Sequence, residues 1–118
     1  MRFTLFVLAL SLILTACSRR DAKLDRQVAG VWTRESTSNT MTYASDGSFS
    51  IIVRKPSHTN SFAGTWQIRD HVLIMTYTNA PLVKGRSLVG GVERYSIIHA
   101  DDHQLICNED GQTITLSR

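Results

Sequence analysis

The chain reads as an all-β domain: an antiparallel up-and-down meander of about eight strands, closed or half-closed into a barrel. Three observations predict it. Beyond residue 28, apolar residues recur with a period of two, and no stretch keeps a helical period. Thr, Val, Ile, Tyr and Trp fill these segments, as strands prefer. Turn signals come at short intervals, and Asp46-Gly47 and Asp110-Gly111 are among the strongest hairpin dipeptides. Strands joined by short turns pair antiparallel, and closing the sheet removes its edges.

The strands are expected at 30–35, 39–45, 48–54, 61–69, 72–78, 92–99, 103–108 and 112–117. The segment 62–69 carries the clearest alternation. Phe62, Gly64, Trp66 and Ile68 share one face, and Ala63, Thr65, Gln67 and Arg69 share the other. Phe49, Ile51 and Val53 alternate with Ser48 and Ser50, and Ile114 and Leu116 alternate with Thr113 and Thr115. Arg69-Asp70-His71 and Asp101-Asp102-His103 fit tight reversals. One connection is long: 79–91 holds Leu82, Val83, Leu88 and Val89 and is read either as a lid or contact surface, or as a segment folded back on the barrel end.

Ahead of the strands stand three stretches of different character. Arg2 precedes an apolar run from Phe3 to Leu14, which is too short for the roughly 20 residues that span a hydrocarbon core. A basic start, a short apolar run and small residues at its end describe an export signal. The run closes Leu14-Thr15-Ala16-Cys17, which resembles the lipobox of bacterial lipoproteins. The resemblance implies a signal peptide over 1–16, cleavage before Cys17, and a diacylglycerol, with a further acyl chain, on that cysteine. It thus implies a cell-envelope protein held to a membrane. Ser18 follows where inner-membrane lipoproteins commonly carry Asp, so the same family rule implies the outer membrane, facing the periplasm. Residues 17–28 are strongly charged and read as a tether, with one helical turn placing Leu24 and Val28 on one side. The remaining 29–118 suffice for one β domain with one core.

A formal charge of +3, one unit of it from Arg2, is spread among both signs without the basic stripe that nucleic acid requires. With Cys17 acylated, Cys107 is left alone. Its neighbours Leu105 and Ile106 suggest a buried, inert thiol. His99-Ala100-Asp101-Asp102-His103 has ligand-type residues, but a hairpin turn accounts for its Asp pair without a metal. No nucleophile elbow, phosphate loop, zinc-protease motif or catalytic-cysteine signature occurs. The acidic residues fall mostly in turns, so no carboxylate pair is expected on one strand face for acid–base work. The expectation is a protein with no catalytic activity, cofactor or metal.

Two Gly-x-Trp copies, Gly30-Val31-Trp32 and Gly64-Thr65-Trp66, place a glycine beside an indole on one strand face. Such a glycine lets a backbone or a ring approach closely. With Asp46-Gly47-Ser48-Phe49, Trp66-Gln67-Ile68 and a terminal hairpin ending near Arg118, the pattern over 29–118 resembles the small lipocalin-like domains of bacterial lipoproteins. The resemblance implies an up-and-down barrel closed at one end by the first Gly-x-Trp, and no particular activity. Two readings of function remain open. In the first, the barrel holds a small apolar molecule, with Trp32, Trp66, Ile51 and Met75 as candidate contacts; core closure is the competing role for the two indoles. In the second, Leu82, Val83, Leu88 and Val89 contact another envelope protein, as an interaction or inhibitor module.

Overall fold

Alternating apolar residues turn one face of every strand inward, and the sheet closes around that face. In the computed structural model, which describes residues 21–118, the strands are β1 (Gly30–Arg34), β2 (Thr40–Tyr43), β3 (Ser48–Arg54), β4 (Thr59–Arg69), β5 (Val72–Asn79), β6 (Val92–Ala100), β7 (Gln104–Glu109) and β8 (Gln112–Ser117). They form a closed barrel in sequence order, and each neighbouring pair is antiparallel. The eight expected strands are all present, and the barrel is closed rather than half-closed. Its seam is short: β1 meets β8 only at Thr33↔Ser117 and Arg34↔Leu116.

The turns follow their residue chemistry. Asp46 Oδ1 accepts from the Ser48 amide at 2.9 Å, bracing the β2–β3 hairpin. Asp110 and Gly111 both have positive φ, as a two-residue type I′ connection requires. So do Asp70 and His71, although neither is glycine; Asp and His are among the residues that tolerate the left-handed region. Two irregularities bend the barrel. The β4–β5 register slips between Ala63 and Gly64, leaving Thr78 as the extra residue. The β6–β7 register slips between Ile97 and His99, which turns Ile98 out to solvent. An extra residue bends a strand and increases its twist, as closure demands.

Residues 21–28, read as part of a tether with one helical turn, are helical (α1, 21–28), with Leu24 and Val28 both turned to the core as that turn implies. Val28 is completely buried and Leu24 packs on the core, so burial of these two side chains holds this helical end against the barrel. Cys17 and the expected signal peptide lie outside the described residues. No helix among the described residues is long and apolar enough to cross a membrane.

The barrel therefore has two unlike ends. One gathers α1, the β2–β3, β4–β5 and β6–β7 turns, and Arg118. The other gathers the β1–β2, β3–β4 and β7–β8 turns and the long segment between β5 and β6.

Candidate functional site

The α1 end is shut by side chains. Trp32 is completely buried, and its Nε1 donates to the Val28 carbonyl at 2.8 Å. Arg118 lies over the indole with its guanidinium carbon 4.0 Å from the ring centroid. The same guanidinium donates to three carbonyls: Ala29 at 2.9 Å, Gln27 at 3.1 Å and Asp102 at 2.9 Å. One side chain thus ties the α1–β1 junction to the β6–β7 turn across the seam. Gly30 makes room for it: its φ is 134°, and a Cβ there would stand 2.5 Å from Arg118 Nη1. Trp66 serves the same end, donating from Nε1 to the Ala44 carbonyl at 2.9 Å. Both indoles spend their one donor on backbone carbonyls of the domain itself.

Side chains also occupy the middle of the barrel. Met75 is completely buried, and Ile51 is buried among the same cluster. Aromatic contacts run along the interior from Trp66 to Tyr43 (5.7 Å between centroids), and from Phe49 to Tyr77 (5.6 Å) and on to Phe62 (6.0 Å). Tyr43 bridges the two runs, 6.5 Å from Phe49. Most of these pairs meet edge to face, the geometry that ring quadrupoles favour. The buried Tyr43 hydroxyl reaches Met75 Sδ at 3.3 Å, a weak acceptor, and burial raises its pKa strongly. Cys107 is buried too, its thiol pushed up to about 12 by desolvation. Trp32, Ile51 and Met75 are therefore placed in the packing of the closed end and the middle, whereas Trp66 also lines a cleft of about 270 Å³ beside α1, with Asp25, Asp46 and Gln67.

The far end has a different lining. A cleft of about 300 Å³ opens there between the barrel wall and the long segment, lined by Tyr77, Ser87, Leu88, Val89, Gly91, Val92 and Glu93. A neighbouring cleft of about 270 Å³ shares Val92 and Glu93 and adds Arg94, Glu109 and Asp110. The segment is built to stand over this mouth. Gly90 donates to the Tyr77 carbonyl at 2.8 Å and the Tyr77 amide to the Gly91 carbonyl at 3.0 Å, which pins its foot to β5. Its outer half is a tight hairpin in which Val83 and Arg86 exchange both backbone bonds around Lys84 and Gly85. Leu82 is 69% exposed and Val83 41%, and Val89 is exposed as well, whereas Leu88 is half-buried over the cleft.

Polar groups meet at this mouth. Glu93 lies in period with Tyr95 and Ile97 on β6, and Glu109 in period with Leu105 and Cys107 on β7, so both carboxylates belong to the inward faces. The acidic residues otherwise fall mostly in turns, as expected, and these two are the exceptions on strands. The Tyr95 hydroxyl donates to Glu93 Oε2 at 2.7 Å. Burial first, and the Glu93 carboxylate second, raise the pKa of the Tyr95 and Tyr77 hydroxyls. Glu109 Oε2 is shut off from solvent and has no hydrogen-bond partner among the described residues. Burial raises the pKa of this carboxyl, and the negative charges of Glu93 and Asp110 add to the rise against a smaller opposing effect of Arg34. The period-two pattern was the available signal: Glu93-x-Tyr95-x-Ile97 and Leu105-x-Cys107-x-Glu109 each carry one carboxylate at an inward position.

The segment from His99 to His103 is spent on a turn. His99 Nε2 pairs with Asp101 Oδ2 at 2.7 Å, and Asp101 Oδ1 accepts from the His103 and Gln104 amides.

The closed eight-stranded meander is the feature that solved structures share with this chain. The fold is lipocalin-like. The chain superposes on a lipocalin-like protein from Bacteroides uniformis ATCC 8492 with a TM-score of 0.64 at 14% identity, covering 78% of this chain and 98% of that one. An uncharacterized protein from Bacteroides eggerthii DSM 20697 gives a TM-score of 0.59 at 13% identity, covering 76% and 98%. No family model and no curated protein matches the chain. At such identities the likeness concerns the lipocalin-like barrel alone.

Proposed function

We propose that this lipocalin-like domain is a non-catalytic binding module of the cell envelope that holds a small apolar molecule at the mouth of the barrel. The cleft between Tyr77, Leu88, Val89, Val92 and Glu93 carries the reading. It is concave, its walls combine aliphatic and aromatic surface with few polar groups, and its volume falls at the low end of ligand sites, roughly 300–1,000 Å³. The packed interior beneath it argues for a shallow seat rather than a deep cup. In this reading the mouth residues make the first contacts, and Trp32, Ile51 and Met75 form the packed floor behind them. Native mass spectrometry of the protein purified from its own cells is the test. One small molecule bound per chain and released on unfolding is the expected result; a bare chain under conditions that preserve weak complexes contradicts it.

In the same reading the module is held to a membrane through acylated Cys17, in the outer membrane facing the periplasm. The Leu14-Thr15-Ala16-Cys17 motif supports this. Two or three acyl chains anchor firmly where a single one is marginal. Cys17→Ser is expected to abolish acylation, and a labelled lipid still attached to that variant refutes the anchor. Because α1 enters at the plugged end, an anchor ahead of it leaves the mouth facing away from the point of attachment.

A second reading has its own observation. The exposed Leu82 and Val83 at the hairpin tip form an apolar surface suited to a protein partner of the envelope, with Leu88 and Val89 at its base. In that case Leu82→Asp with Val83→Asp abolishes capture of the partner and leaves the melting temperature nearly unchanged, since charges cost little on a free surface.

A further inference from the structure

Apolar and basic side chains crowd together on the long segment between β5 and β6. Six large aliphatic side chains are well exposed among the described residues, and four of them, Leu82, Val83, Val89 and Val92, lie on this segment or at its foot. The tip cannot fold its aliphatic pair away. Val83 and Arg86 exchange both backbone bonds around Lys84 and Gly85, whose φ values of 51° and 74° make a tight hairpin turn. Lys84 and Arg86 are exposed beside that pair, and the whole of 79–91 contains no carboxylate. The β3–β4 hairpin stands next to it at the same rim, because β4 pairs with β5, and it projects: Thr59 to Phe62 have no partner on β5. It adds the exposed Arg54 and Lys55, again without a carboxylate. Arg54 is turned to Thr40 Oγ1 at 3.0 Å. Lys55, Lys84 and Arg86 have no ion pair among the described residues, where the one pair joins His99 to Asp101. The exposed acids of this end, Glu35 and Asp110, stand on the β1–β2 and β7–β8 turns, the other half of the rim.

We propose that this hairpin docks on the surface of a bilayer that contains anionic lipid. Leu82 and Val83 enter the boundary between headgroups and acyl chains, and Lys84, Arg86 and Lys55 meet the lipid phosphates. Aliphatic and basic side chains at one protruding point are what an anionic lipid interface binds. Shape argues against a protein in the same place. A specific protein complex buries roughly 1,200–2,000 Å² in total, and a convex tip of two aliphatic side chains offers far less. A bilayer accepts a point of any outline. Charge decides which bilayer: each cation at the surface raises binding about fivefold where the lipid is anionic, and adds little where it is neutral. The tip lies at the end opposite α1, so the bilayer it meets is not the one that an acylated Cys17 would enter. Its docking requires neither that anchor nor a ligand at the mouth.

The test holds the full chain by its own N-terminus in nanodiscs of phosphatidylcholine. These are mixed with vesicles of phosphatidylcholine alone, or in equal parts with phosphatidylglycerol, and flotation reads the share of protein that the vesicles carry. The anionic vesicles are expected to bind about tenfold or more tightly than the neutral ones, and high salt to weaken that binding. Lys84→Gln with Arg86→Gln is expected to lower affinity for the anionic vesicles about 25-fold, about fivefold per charge. Leu82→Ser with Val83→Ser is expected to lower it about tenfold or more. All four side chains are exposed, and an unchanged melting temperature confirms that the variants remain folded. Arg26→Gln with Arg69→Gln removes the same charge at the α1 end and is expected to leave binding unchanged. Equal binding to neutral vesicles overturns the proposal, as does full anionic binding by either tip variant or an equal loss from the Arg26 and Arg69 pair. Capture by native envelope membranes with none by either pure-lipid vesicle assigns the tip to a protein partner and overturns it too.

Discussion

Replacing Gly64 by alanine separates the packing of this barrel from the general behaviour of strands. Glycine inside a strand ordinarily costs about 0.5–1 kcal/mol relative to alanine, so on propensity alone Gly64→Ala should stabilise. The structure reverses the sign. A Cβ at position 64 runs into the Thr76 carbonyl oxygen, and stands 2.7 Å from Phe49 Cε1 and 2.8 Å from the Thr76 carbonyl carbon. The obstacle is backbone, held in the β4–β5 ladder beside the register slip, so no rotamer change relieves it. The Phe49 ring cannot give way freely either, because it is buried against Tyr43 and Tyr77. Overpacking a core costs about 1–3 kcal/mol, and the rigid obstacle points to the upper part of that range, about 2–3 kcal/mol. In a domain of this size that lowers the melting temperature by roughly 10–20 °C. Urea unfolding followed by tryptophan fluorescence, with thermal circular dichroism, measures both quantities. A variant as stable as the parent, or more stable, refutes the close approach at the second Gly-x-Trp.

Three further predictions follow from named contacts. Arg118→Ala removes the stack on Trp32 and three carbonyl bonds across the seam, and is expected to cost about 1–3 kcal/mol in urea unfolding; a loss no larger than that of a surface arginine contradicts the plug. Cys107, with its thiol pushed up to about 12, stays protonated near pH 8 and is expected to react with an aromatic disulfide reagent only as the barrel unfolds; rapid labelling of the native chain refutes its burial. Asp101 is held down to about 2, first by its bond to His99 and then by the His103 and Gln104 amides. Its folded value is depressed, so its support of the β6–β7 turn is complete above the ordinary value of 3.8 and is lost as pH falls toward 2. NMR titration of that carboxyl near 3.8 would contradict the turn geometry.

Much of the barrel was legible in the sequence because its signals were local. Period-two alternation such as Phe62-Gly64-Trp66-Ile68, together with turn signals such as Asp46-Gly47 and Asp110-Gly111, places strands to within one or two residues. The spacing of Gly30 and Gly64 from their tryptophans announced close approaches, and both glycines do admit a neighbour, Arg118 in one case and Thr76 with Phe49 in the other. What was less legible depended on tertiary contact. The helical turn that sets Leu24 and Val28 on one side was readable from 21–28, but not that both side chains pack on the barrel core. The tryptophans admitted two roles in the sequence, ligand wall or core closure, and alternation with buried partners favoured closure; in the structure their donors go to the Val28 and Ala44 carbonyls. The mouth was missed because the register of the β6–β7 hairpin, which slips between Ile97 and His99, decides that Glu93 and Glu109 share one face and one rim. Each was nonetheless in phase with buried neighbours, which is the trace that an inward carboxylate leaves in a sequence.

The most direct test of where this domain binds is an NMR map of an apolar probe, such as cyclohexanol, titrated into the full chain. Binding at the mouth predicts saturable shifts at Tyr77, Leu88, Val89 and Val92 with the Trp32 indole unmoved. Shifts centred on Trp32, Trp66, Ile51 and Met75, with the mouth silent, would contradict it.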